Sequence, residues 1–261
     1  MHTAERNSPV ASWTSPTFVL WRLIPLAYGV FLAGYLISIV VVSAGRSPRL
    51  EDGIMSDLLS RSDNPRGYLI SAAATVVCGL LLLPTATLLQ KACGLLHYRW
   101  AVLGAWIYRV GLVATIATGA STPFQQPYVP IHIYLAFLAF MSLVAGLAIC
   151  HAVVALSMPS ARLRHATLAT LQVSVLLYLT YLFFTPRYFD GRRWFLAVCE
   201  WVVSALIVSG TVSLIALFRG WQLYRGDSCE EELTTQHLSS PRGQEIKVLR
   251  GGKAVPIHEG L

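Results

Sequence analysis

Three ionisable residues lie within or at the ends of long apolar stretches of this sequence: Arg109, His132 and Glu200. Translocon-based scales put a charged side chain at about +2.5 to +3.5 kcal/mol at the centre of a membrane helix, so such residues mark candidate functional positions. Asp57, in the first polar loop, and Trp201, beside Glu200, complete the set. These five residues are the candidates for a pocket or ligand-binding site.

The depths of Glu200 and Arg109 predict a pair. Glu200 comes six residues into the last apolar stretch and Arg109 nine residues into the third, or about 9 Å and about 13 Å at 1.5 Å per residue. In a hydrocarbon core of about 30 Å, a long Arg side chain could bridge the difference. The pair would either fix helix registry or make Glu200 a proton-transfer group or a polar anchor for a lipid headgroup.

His132 and Asp57 are predicted on the same aqueous side as the mouth above Glu200. The loop that carries Asp57 is long enough to fold over this mouth as a lid. Asp, Glu and His together suit acid–base chemistry or metal ligation. The simpler interpretation is three unrelated polar residues at the membrane interface. No metal-ligand spacing, phosphate-binding glycine loop or hydrolase motif occurs, so we predict no metal and no cofactor and leave catalysis open. His97, His151 and His165 are expected near the cytoplasmic ends of the spans.

Six apolar stretches must position these residues. Each is long enough to cross a bilayer as a helix, and backbone polar groups in hydrocarbon must be satisfied within the segment. We therefore predict an all-α polytopic membrane protein, with a polar N-terminus at 1–18, a six-helix bundle at 19–218 and a polar tail without fixed structure at 219–261. The predicted spans are Leu23–Ala44, Tyr68–Leu89, Trp100–Ala120, Ile131–Leu156, Thr167–Thr185 and Trp194–Phe218.

Composition supports a membrane protein and argues against other classes. The chain is 55% hydrophobic and 13% charged, which excludes disorder and is atypical of a soluble domain. The net charge of +7 is better explained by anionic lipid headgroups than by nucleic acid, because the Lys and Arg flank the spans. Membrane lipid is thus the expected partner, and protein partners are left open.

The distribution of cations predicts the orientation. The N-terminus, the 90–99 and 157–166 loops and the tail hold twelve of the twenty Lys and Arg, against seven on the opposite side. Cytoplasmic loops carry the excess of Lys and Arg. We therefore expect both termini in the cytoplasm.

Taken in order, several features resemble the DRAM-type superfamily, which groups damage-regulated autophagy modulators with factors that remodel GPI-anchor lipids. They are a Ser-Asp in the first outer loop, a His opening span 4 and Cys199-Glu200-Trp201 early in span 6. The first half equally resembles bacterial six-span membrane proteins of unknown function. The DRAM-type resemblance implies a six-helix bundle with an outward polar face that acts on or recognises lipid, its family roles falling on Asp57, His132, Glu200 and Trp201.

The leading hypothesis is a lipid-handling membrane protein with an outward-facing pocket lined by Asp57, Arg109, His132 and Glu200. Arg109 or the loop cations would meet a headgroup phosphate. A second hypothesis is a small proton-coupled transporter that uses Glu200 and Arg109 as a relay. A third is a non-catalytic scaffold that binds partners through its spans and tail.

Overall fold

A computed structural model describes residues 15–44, 50–124, 131–185 and 193–238. Their secondary structure is entirely helical. The main helices are accompanied by three 3-10 turns, at Leu50–Gly53, Thr122–Phe124 and Pro159–Ala161. The main helices are α1 (Pro16–Val42, with a π-helical turn at Val19–Leu23), α2 (Met55–Leu58), α3 (Tyr68–Gly94), α4 (Tyr98–Ser121), α5 (Ile131–Ser157), α6 (Arg162–Phe184) and α7 (Arg193–Leu238).

Five helices are long and apolar enough to cross a membrane, namely α1, α3, α4, α5 and the 194–220 part of α7. The chain is therefore an integral multi-span membrane protein, and the predicted all-α class is confirmed. Six spans were predicted. The fifth of them falls on α6, which is not among the five found within the described residues. A sixth crossing stays a prediction.

The chain divides into two compact units, Met1–Arg219 and Gly220–Leu261. The first unit contains the bundle. The described part of the second unit, 220–238, is helical. The predicted segments 1–18, 19–218 and 219–261 stay a prediction. Residues 239–261, and most of the predicted 1–18 segment, lie outside the described residues.

Four pairs of long helices pack against each other, namely α1 with α3, α3 with α4, α4 with α5 and α5 with α6. Glycines set the closest approach between α4 and α5. A Cβ added at Gly146 of α5 would lie 2.6 Å from the Tyr108 nitrogen and 2.7 Å from the Gly104 oxygen, both on α4. Only hydrogen fits between backbones at that distance. Large apolar side chains such as Val40, Val113 and Val202 face outward and are exposed, as expected for surfaces in contact with lipid.

Helix α7 lies beside α1 at two levels. The Tyr35 and Trp201 rings meet edge to face with their centroids 6.3 Å apart. Further along, the Arg219 guanidinium lies 5.7 Å from the centre of the Trp21 ring. The first and last spans of the bundle are therefore neighbours at both ends.

Charge is unevenly distributed between the ends of the bundle. One end carries only cations among the described side chains of the first unit. These are Arg22, Lys91, Arg99, Arg162, Arg164 and Arg219. The acidic side chains described in this unit, Asp52, Asp57, Asp63 and Glu200, belong to the other end, in the loop between α1 and α3 and in the first turns of α7.

Candidate ligand cavity and its lid

The loop between α1 and α3 folds back onto the bundle and covers it. We call residues 53–59 the lid. Ile54, Leu58 and Leu59 are almost fully buried, so the lid inserts apolar side chains between the helices. Asn64 fixes its far end, because its Nδ2 donates to the Leu58 carbonyl at 3.0 Å and its Oδ1 accepts from the Gly67 N–H at 2.9 Å.

Glu200 holds the near end of the lid. Its Oε2 accepts a hydrogen bond from the Met55 N–H at 2.5 Å, and the Ser56 N–H and hydroxyl also bond to the carboxylate. Met55 and Ser56 open α2, where backbone N–H groups have no partner within the helix. The side chain from α7 therefore caps α2, and Asp57 of α2 is close enough to interact with it electrostatically.

Trp201 adds a second attachment. Its Nε1 donates to the Gly53 carbonyl at 2.9 Å, just before the residues that Glu200 holds. Its ring packs against Tyr35 of α1, whose hydroxyl lies 3.0 Å from Thr75 Oγ1 of α3. Consecutive residues of α7 thus join the lid to α1 and α3.

A cavity of about 610 Å³ lies beneath the lid, walled by α1, α3, α4, α5 and α7. Its lining is largely apolar, with Phe31, Leu82, Leu112, Phe140 and Leu143 among its residues. Glu200, Trp201 and Ser56 line it at the lid end. An apolar cavity with few polar groups at one end is the usual form of a small-molecule site.

The cavity has a side opening. Leu32 of α1 and Ala205 and Ser209 of α7 line it and are also exposed on the surface of the bundle. These three residues, which we call the portal, lie between the levels at which α1 and α7 touch. Because they fall near the middle of their spans, the portal faces the hydrocarbon region rather than water.

The predicted pairing of Glu200 with Arg109 is not formed. Arg109 donates from Nη2 to Thr87 and Gln90 of α3, each at 3.4 Å, and its guanidinium lies 4.6 Å from the centre of the Trp106 ring. Thr87 follows Thr75 by twelve residues, about 18 Å along the helix at 1.5 Å per residue. Depth alone did not reveal that the two side chains have separate partners at different levels.

The other predicted site residues are distributed unequally. Glu200 and Trp201 line the cavity, and Asp57 lies behind Ser56 on the lid without lining it. His132 is buried at the start of α5, interacts electrostatically with Asp63, and is not part of the lining. Asp57, Glu200 and Trp201 are thus brought together at one end, while His132 and Arg109 make other contacts.

A second polar cluster, which the sequence analysis missed, joins α5 and α6 at the cationic end. His151, His165 and Gln172 are fully buried. Arg164 Nη2 lies 3.2 Å from His165 Nε2; since a guanidinium only donates, His165 carries its proton on Nδ1 and donates it to His151 Nδ1 at 2.7 Å. Burial, then Arg164, lowers the pKa of His165 to about 4. The short connection between antiparallel helices was the available signal for this pair.

No family model matches the chain, and neither a curated protein nor a solved structure matches it. The geometry of the cavity, its lid and its portal is therefore what indicates the function.

Proposed function

We propose that this integral membrane protein binds the apolar chain of a membrane amphiphile in the cavity beneath the lid. The chain enters through the portal from the hydrocarbon region, and the polar group lies at the end formed by Glu200, Trp201 and the lid. The observation that carries the proposal is the cavity itself, an apolar volume inside the bundle with a side opening at the level of the lipid chains.

The size of the cavity supports a ligand of limited bulk. Small-molecule sites have volumes of about 300–1,000 Å³, and about 610 Å³ falls within that range. The lipid-handling role implied by the DRAM-type resemblance belongs to the same class of function. The proton-coupled alternative needs a relay between Glu200 and Arg109, and their separate contacts offer no observation in its favour.

The test is to purify the full chain in detergent and to identify amphiphiles that remain bound by native mass spectrometry. We expect the natural sequence to retain one such molecule per chain. Ala139 lines the cavity and is buried, so Ala139→Phe should fill part of it and lower the occupancy by about tenfold, equivalent to about 1.4 kcal/mol.

Ile133 offers a matched control, because it lies on the same helix and is 43% exposed on the outer surface. Ile133→Phe should leave the occupancy unchanged. Equal loss in both variants, or no bound amphiphile in the natural sequence, would contradict the proposal and favour a scaffold without a ligand.

A further inference from the structure

We infer that the cavity selects amphiphiles whose polar group donates hydrogen bonds, such as a hydroxyl or an ammonium, over those with a carboxylate or phosphate. The inference rests on the proposed function and concerns the ligand class of the same site. Its basis is the hydrogen bonding of the polar side chains in the lining, most of whose protons, including those at the lid end, are already committed to protein acceptors.

Hydroxyls on the helical walls donate to their own helices. Thr115, Thr118 and Ser209 each give their proton to a main-chain carbonyl of their own helix at 2.7–3.1 Å. A hydroxyl has one proton and two lone pairs. Each of these groups therefore has only acceptor capacity left.

The two tyrosines with defined partners, Tyr35 and Tyr108, also donate their protons to protein acceptors. Thr75 donates to the Ser71 carbonyl at 2.8 Å, so in its 3.0 Å contact with Tyr35 the tyrosine is the donor. Thr211 donates to the Ile207 carbonyl at 2.8 Å, so Tyr108 is the donor in their 3.3 Å contact. Both phenol protons are thus used within the protein.

The lid end is also rich in acceptors. The Trp201 N–H is used by the Gly53 carbonyl and the Ser204 hydroxyl by Met55 Sδ at 3.6 Å. Glu200 accepts from the first residues of the lid, and a carboxylate has room for about four hydrogen bonds. Tyr28 is the exception, because it lines the cavity and its buried hydroxyl has no hydrogen-bond partner among the described residues. It lies seven residues before Tyr35 on α1, about 10 Å further from the lid at 1.5 Å per residue, so it is not part of the lid end.

The charges around the cavity also favour a head group that donates hydrogen bonds over an anionic one. Glu200 is the one lining residue of the acidic or basic types, and no Lys, Arg or His lines the cavity in the described part of the chain. Arg109, which was expected to meet a phosphate, is held by Thr87 and Gln90. An anionic head at the lid end would therefore be buried without a free donor or a cation, which is costly, whereas a hydroxyl or ammonium would find acceptors.

The experiment presents the purified full chain with an equimolar mixture of hexadecylamine, hexadecanol, palmitate and hexadecyl phosphate, and measures occupancy by native mass spectrometry. These probes share one chain and differ in the head. We expect the amine and the alcohol to exceed palmitate and the phosphate by at least about tenfold. Ala139→Phe corrects for detergent effects, since amine or alcohol binding that this variant does not lower lies outside the cavity.

The outcomes separate the two proposals. Binding of palmitate or hexadecyl phosphate at the level of the amine and alcohol overturns the inference about the head and leaves chain binding intact. Amine and alcohol binding that Ala139→Phe does not lower also overturns it, because that binding lies outside the cavity. Failure of all four probes, with no amphiphile retained from the membrane, overturns the proposed function itself.

Discussion

Glu200 combines two roles at one position, because it caps α2 and lines the cavity. Its donors come from two consecutive residues of the lid, so the carboxylate fixes the lid's direction as well as its distance. A membrane-embedded acid of this kind needs no cation to be satisfied, since backbone N–H groups at a helix start serve instead. This explains why Arg109 can be occupied elsewhere.

A double-mutant cycle tests the independence of these two residues. Glu200→Gln should lower the free energy of unfolding by about 1–3 kcal/mol, since it replaces an acceptor facing N–H groups with an amide. Arg109→Met should also lower the free energy of unfolding, because it removes the hydrogen bonds to Thr87 and Gln90. Thermal or denaturant unfolding in detergent should give additive losses, within about 0.5 kcal/mol. An interaction energy larger than this would show that Glu200 and Arg109 form the ion pair that the sequence predicted.

At the scale of the helices, close approach between α4 and α5 determines how the cavity wall is built. Gly104 and Gly146 face each other across this contact, and Tyr108, which lines the cavity, lies beside them. A larger side chain at either glycine would move one helix relative to the other.

Gly146→Ala should therefore destabilise the bundle. The new methyl would meet backbone atoms at 2.6–2.7 Å, which cannot rotate away, and overpacking of this kind costs about 1–3 kcal/mol. Gly29→Ala is the matched control, because a Cβ there meets no atom within 4 Å. The midpoint of thermal unfolding should fall for the first variant and stay level or rise for the second. Equal midpoints would show that the helices separate easily.

The sequence predicted the helical elements well and the site only in part. Long apolar runs identify membrane helices because both length and composition are set by the bilayer. The loop that carries Asp57 was expected to fold over the mouth of the bundle as a lid, but its helix was not predicted, since α2 has four residues and too short a pattern to show a period. Its structure depends on Glu200 and Trp201, which lie far along the chain. The direction of the Arg109 side chain likewise depends on Gln90 and Thr87 of another helix.

At the scale of the whole bundle, one end carries only cations among the described side chains, and the other carries the four acids together with Arg61 and Arg66. Cytoplasmic surfaces carry an excess of Lys and Arg, so we propose that the cationic end, with the start of α1 and Arg219, faces the cytoplasm and that the lid faces outward. The same rule led to the orientation expected from the loop counts, which stays a prediction.

Cysteine labelling tests this orientation. Ser62, in the loop after the lid, and Ser160, between α5 and α6, are both exposed. In intact cells an impermeant thiol reagent should label Ser62→Cys and not Ser160→Cys, in a background with Cys199 and Cys229 replaced by Ser. Labelling of Ser160→Cys alone would invert the orientation. The same reagent applied after permeabilisation should label both and so controls for reactivity.

The contact between Met55 and Glu200 joins residues 145 positions apart, and this separation bears on biosynthesis. At about 5–20 residues per second, the ribosome needs roughly 7–30 s to make the chain between them. During that interval α1 to α6 can pair with their neighbours, while Ile54 and Leu58 have no completed surface to cover. That surface is completed only when α7 has been synthesised. A nascent or truncated chain thus differs from a finished one in its first loop, which quality-control factors that bind apolar segments could detect.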